Sequence, residues 1–102
     1  MDIAEIKAKV RQDQYTYSLH ADIERKIEDL TLAQIEQALL DGIILEQYPD
    51  TGRGESCLVL GFAGQVPIHI VCGWRGEKVV VVTVYVPRRP EFVDPRTRGE
   101  VE

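Results

Sequence analysis

The hydrophobic period of this chain changes near residue 43. Before it, apolar residues recur every three or four positions; after it, they alternate. Ile3, Ile6 and Val10 form one stripe of a short helix over residues 3–11, and residues 1–12 read as a helical arm laid on the body. Tyr15-Thr16-Tyr17 is rich in strand formers and reads as a short extended piece. Ser18 caps a second helix, in which Leu19, Ile23, Ile27 and Leu30 mark the expected buried face. The third helix opens on a capping box, with Thr31 at the cap, Gln34 three residues on, and Leu30 and Ile35 placed as a hydrophobic staple. It is expected to run to Gly42, which would take the left-handed conformation that ends helices.

Four strands are expected over 43–48, 57–62, 66–73 and 79–86. The links between them are short and carry turn residues, which joins antiparallel neighbours into a meander. The predicted fold is α+β, with N-terminal helices packed on one face of a four-stranded antiparallel sheet. Residues 1–87 form the expected single domain. Residues 88–102, which carry Pro90, Pro95, Arg88, Arg89, Arg96 and Arg98, read as a polar, extended tail.

Composition narrows the class. A chain of 102 residues buries one core, and 44% hydrophobic with 28% charged residues is the balance of an ordinary globular domain. No apolar run approaches the roughly 20 residues that cross a bilayer, and the start Met1-Asp2-Ile3-Ala4-Glu5 is acidic where a signal peptide is basic. A cytoplasmic location without membrane association is therefore expected, with Cys57 and Cys72 as reduced, buried thiols. With a three-residue Ala63–Gln65 loop, these two cysteines would face opposite sides of the sheet. The net charge of −5 argues against a surface that attracts phosphate all over, though the imbalance is local: residues 1–50 hold 11 acids against 5 bases, residues 51–102 hold 6 against 7.

Candidate chemistry rests on the two histidines, the side chains that titrate near neutrality unaided. Strand alternation places His69 and Val71 opposite Ile68, Ile70 and Cys72, and gathers Val79, Val81, Thr83 and Tyr85 on one face of the last strand. A three-residue loop Arg75–Glu77 would set His69 beside Thr83; a two-residue loop Arg75-Gly76 would set it beside Val82 and disperse the group. His20 and Arg25 lie on the second helix, where a backbone-bonded histidine and a structural ion pair are the plainer readings. No phosphate-binding glycine loop, nucleophile elbow or metal-spaced acidic cluster occurs.

Several segments together resemble a family of small bacterial proteins of unknown function that is grouped with the RelE-like toxins: Tyr15-Thr-Tyr-Ser-Leu-His20-Ala-Asp-Ile-Glu-Arg25, Pro67-Ile-His69-Ile-Val71, and Val82-Thr83-Val-Tyr85-Val-Pro87 among them. The resemblance covers about residues 14–87. It implies a toxin of a toxin–antitoxin pair that cleaves RNA without metal or other cofactor. Its implied partners are a zinc-ribbon-type antitoxin and RNA or the ribosome, and its implied site residues are His20, Arg25, His69, Thr83 and Tyr85. One histidine would take the ribose 2′-hydroxyl proton, Arg25 would stabilise the phosphorane, and the other histidine or Tyr85 would protonate the leaving oxygen. The acidic net charge departs from the usual basic surface of such toxins. The alternative is a non-catalytic RelE-like interaction module that binds a protein partner, with structural histidines. Burial separates the two: open, converging histidines belong to an enzyme, and buried ones satisfied by backbone belong to a binder.

Overall fold

A computed structural model of the chain describes residues 1–50, 52, 54–88 and 92–99. In chain order the elements are α1 (Ile3–Arg11), β1 (Tyr15–Tyr17), α2 (Leu19–Ile27), α3 (Leu32–Asp41), β2 (Ile43–Tyr48), β3 (Ser56–Ala63), β4 (Val66–Arg75), β5 (Lys78–Tyr85), β6 (Phe92–Asp94) and β7 (Thr97–Arg98). Each helix starts where a side chain accepts from an orphan amide: Asp2 from Ala4, Ser18 from Ala21, Thr31 from Gln34. The capping box at Thr31 is reciprocal, since the Gln34 carboxamide oxygen also accepts from the Thr31 amide at 2.8 Å. This forces α2 and α3 to be separate helices.

Strands β2 to β5 form the antiparallel meander, but the sheet has five strands and is mixed. Its order is β1-β5-β4-β3-β2, with β1 parallel to β5 and Thr16 opposite Val80. The expectation of four strands failed because Tyr15–Tyr17 is short, yet it finds the free edge of β5; the long chain between the two permits a parallel pairing.

Helices α1 and α3 pack on one face with Ile6, Val10, Ile35, Ala38 and Leu39 against Val59, Ile68, Ile70, Val79 and Val81. α3 approaches β3 so closely at Gly61 that a Cβ there would lie 1.8 Å from the Ala38 carbonyl oxygen. Gly42 does not take the left-handed conformation: its φ of −76° and ψ of 159° are extended, and a Cβ there would meet Val59 at 2.5 Å. Glycine is required at that position by crowding.

α2 reverses its expected orientation. Leu19, Ile23 and Ile27 are 78%, 50% and 79% exposed, and within the helix only Ala21 is fully buried. The helix lies along β5 past the end of β1 and turns its polar face inward. Ser18 donates from its amide to the Val81 carbonyl and from its hydroxyl to the Val82 carbonyl. Glu24 and Glu28 accept from the Val84 and Val86 amides at 3.4 Å each. Unpaired edge amides are costly to bury, so the carboxylates, not the apolar stripe, face the sheet.

Both hairpin registers differ from expectation. The β3–β4 turn is Gly64-Gln65, which sets Cys57 opposite Cys72; the thiols are free, but they sit side by side in the core. The β4–β5 turn is Gly76-Glu77, with φ of 61° at Gly76, as a two-residue hairpin with glycine first requires. A bulge at Val82 then shifts the register, leaving Val82 partly exposed and sending Val84 into the core while Thr83 and Tyr85 turn to the far face. No helix among the described residues is long and apolar enough to cross a membrane.

Candidate functional site

The helix-free face of the sheet carries Leu58, Leu60, His69, Val71, Thr83 and Tyr85, paired as Leu60 with His69, His69 with Tyr85, and Val71 with Thr83. The bulge in β2 at Leu45 brings Glu46 opposite Leu58 on this face, with Tyr48 two residues on. The described part of residues 88–102 is not a solvated tail here. β6 and β7 pair as a separate two-stranded sheet, and Phe92 is buried at 3% exposure against the histidine.

His69 is completely buried. Its Nε2 lies 2.6 Å from the Pro95 carbonyl oxygen, which can only accept, so Nε2 carries the hydrogen. Nδ1 lies 3.2 Å from the Tyr85 hydroxyl and accepts from it in the neutral ring. Burial lowers the histidine pKa, opposed by its bond to Pro95, and so favours that neutral form. Phe92 meets the ring edge-on at 4.3 Å between centroids, and the Tyr85 ring lies tilted at 5.2 Å.

An ion pair closes the hairpin over this face. Arg98 donates from Nε and Nη2 to the two carboxylate oxygens of Glu46, both at 2.6 Å, and its guanidinium stands 4.8 Å over the Phe92 ring. The Tyr48 hydroxyl donates to Glu46 at 2.6 Å. The hydrogen bonds from Arg98 hold the Glu46 carboxyl down at about 2, while burial and the adjoining carboxylate push Tyr48 up to about 12.

Of the five residues anticipated for chemistry, His69 and Tyr85 are in contact. Thr83 shares their face but stands beside Val71, because the turn and the bulge each move the register by one from the pairing that a three-residue loop would give. His20 and Arg25 are elsewhere. The His20 ring, 68% exposed, pairs with Glu24 at 3.1 Å. Arg25 donates to Asp22 at 2.8 Å and to the Leu30 carbonyl at 3.3 Å, tying the end of α2 to the turn before α3. Neither reaches a ring sealed beneath the hairpin. Glu46, Tyr48, Phe92 and Arg98 were missed by sequence reasoning; the available signal was Phe92, the single aromatic in residues 88–102. Among the described residues, no group of three or more His, Cys, Asp or Glu side chains is placed to hold a metal ion.

A family profile described as a domain of unknown function (DUF4258) matches residues 17–86. The chain belongs to that family. No curated protein and no solved structure matches it. The DUF4258 span begins at the end of β1 and ends one residue beyond β5. It therefore contains Glu46, Tyr48, His69 and Tyr85, whereas Phe92, Pro95 and Arg98, which cover them, lie outside it.

Proposed function

We propose that this DUF4258 protein is a non-catalytic RelE-like interaction module that works by binding a protein partner. The observation that carries the reading is His69: a fully buried ring with one nitrogen on a main-chain carbonyl and the other on Tyr85 has no lone pair or proton to offer a substrate. The apolar stripe of α2 supports the same reading, because Leu19, Ile23 and Ile27 are aligned on one helix face and their burial is left to something other than this fold. An antitoxin-type protein offering an apolar helix of its own would suit that stripe.

The test is cleavage of total RNA and of ribosome-bound message by the purified chain. RNA is expected to stay intact with the wild type and with His69→Gln alike. Cutting by the wild type that His69→Gln abolishes, at unchanged circular dichroism, reverses the assignment. Metal-independent RNA cleavage is the second reading, and it draws on the contact of His69 with Tyr85 on the helix-free face. It requires the hairpin to leave, and Arg98 leaves with it. The charge remaining there is the Glu46 carboxylate, which repels a phosphodiester.

A further inference from the structure

We propose that the β6–β7 hairpin is a displaceable, built-in ligand, and that the sheet face beneath it is a binding site for a peptide hairpin presenting an aromatic side chain and an arginine from facing strands. The proposal rests on the interaction-module reading and names a surface and partner chemistry for it. Three contacts define the chemistry: an aromatic ring perpendicular to that of His69, a main-chain carbonyl accepting from His69 Nε2, and a guanidinium on both oxygens of Glu46. Each is a contact that a peptide from another chain can reproduce.

The hairpin has the attributes of an occupant. Its strands of three and two residues form their own two-stranded sheet and add no strand to the five-stranded one. A two-stranded hairpin is at best marginally stable by itself, so its order depends on the contacts it makes. It also lies beyond residue 86, where the family match ends, while the surface it covers lies within that match. A phosphate-bearing ligand is disfavoured at the same place, because displacing Arg98 leaves Glu46 as an ionised carboxylate at the centre of the site.

The experiment uses the full chain and a fluorescent peptide copying its own residues 88–99. In the wild type the tethered hairpin competes, so apparent affinity falls by the fraction of molecules that are open. The double variant Phe92→Ala, Arg98→Ala is expected to bind the peptide at least about tenfold more tightly than the wild type, and adding Glu46→Gln is expected to reverse that gain. A labelled single-stranded RNA is run alongside. A folded double variant that does not bind the peptide overturns the displaceable ligand and leaves the interaction reading standing on α2. Binding of RNA in place of peptide also overturns it, and RNA cleavage by the opened variant overturns both. Hydrogen exchange on the unaltered protein gives a second measurement that needs no variant. The amides of Phe92 and Arg96, which donate to Arg88 and Asp94, are expected to exchange at least about tenfold faster than those of β4. Equal protection of hairpin and β4 overturns the proposal.

Discussion

The two faces of the sheet are covered by opposite means. On one, α1 and α3 bury a continuous aliphatic layer that contains no charge, with Ile70, Cys72, Val79 and Val81 at its centre. On the other, a hairpin of five strand residues is held by an aromatic contact, a histidine bonded at both nitrogens and one bidentate ion pair. Burial of apolar area is non-directional and adds up over many contacts, so the first cover belongs to the fold itself. Directional contacts that are few in number can be exchanged for equivalent ones, so the second cover is the one suited to binding.

Adjacent residues of β4 test this contrast most sharply, because Ile70 points to the helices and His69 to the hairpin. Ile70→Ala is expected to cost about 2–5 kcal/mol in urea unfolding, as a methylene-lined cavity opens in a layer that cannot collapse. His69→Ala is expected to cost about 1–3 kcal/mol, mostly from the Pro95 carbonyl left without its donor, with faster exchange confined to residues 92–99. Equal costs, or global loss of protection from the second change, would erase the distinction between the faces.

The faces should also differ in acid, where the hairpin face alone weakens, while thiols on the helix face add a loss in alkali. The folded pKa of His69 is depressed below 6.5, chiefly by burial, so its contribution is present above that pH and lost as pH falls below it. Glu46 adds a further loss between about 4.5 and about 2. On the helix side, burial raises the Cys57 thiol from 9.0 to about 11 and raises Cys72 as well. Their contribution is present below pH 9.0 and lost as pH climbs above it. Thermal midpoints across pH check this: His69→Gln should flatten the acid limb and Cys72→Ala the alkaline limb. The smallest effect is expected from Glu46→Gln at neutral pH, at most about 1 kcal/mol in urea, since the pair with Arg98 is partly open to water. A larger loss would mean that the hairpin is integral to the fold.

Much of the fold was legible in local signals. The reciprocal cap at Thr31 and the buried staple of Leu30 and Ile35 follow from residue type and spacing alone, as do the short turns of the meander. Alternation failed where bulges interrupt it, at Leu45 and Val82, because one extra residue exchanges the faces of everything beyond. The companionship of His69 and Tyr85 survived because the unexpected turn and the bulge each move the register by one, which together preserve the face. Helical periodicity identified α2 but not its orientation, since the alignment of Leu19, Ile23 and Ile27 says that a face is apolar and not what lies against it. The hairpin was illegible because a few specific contacts leave no periodic trace in a proline- and arginine-rich segment.

The seal that α2 places along β5 has a consequence for how these molecules meet one another. An open strand edge is a template on which a second chain can add its own strand, and repeated addition grows fibres. Here the row of main-chain groups beyond β1 ends on the side chains of Ser18, Glu24 and Glu28, which offer no ladder to extend. At the opposite margin, the bulge in β2 bends the strand away from the straight path that stacking needs. A valine-rich sheet of this kind is a ready nucleus for ordered aggregation, and the amphipathic helix that turns its acids inward closes one of its edges to strand addition.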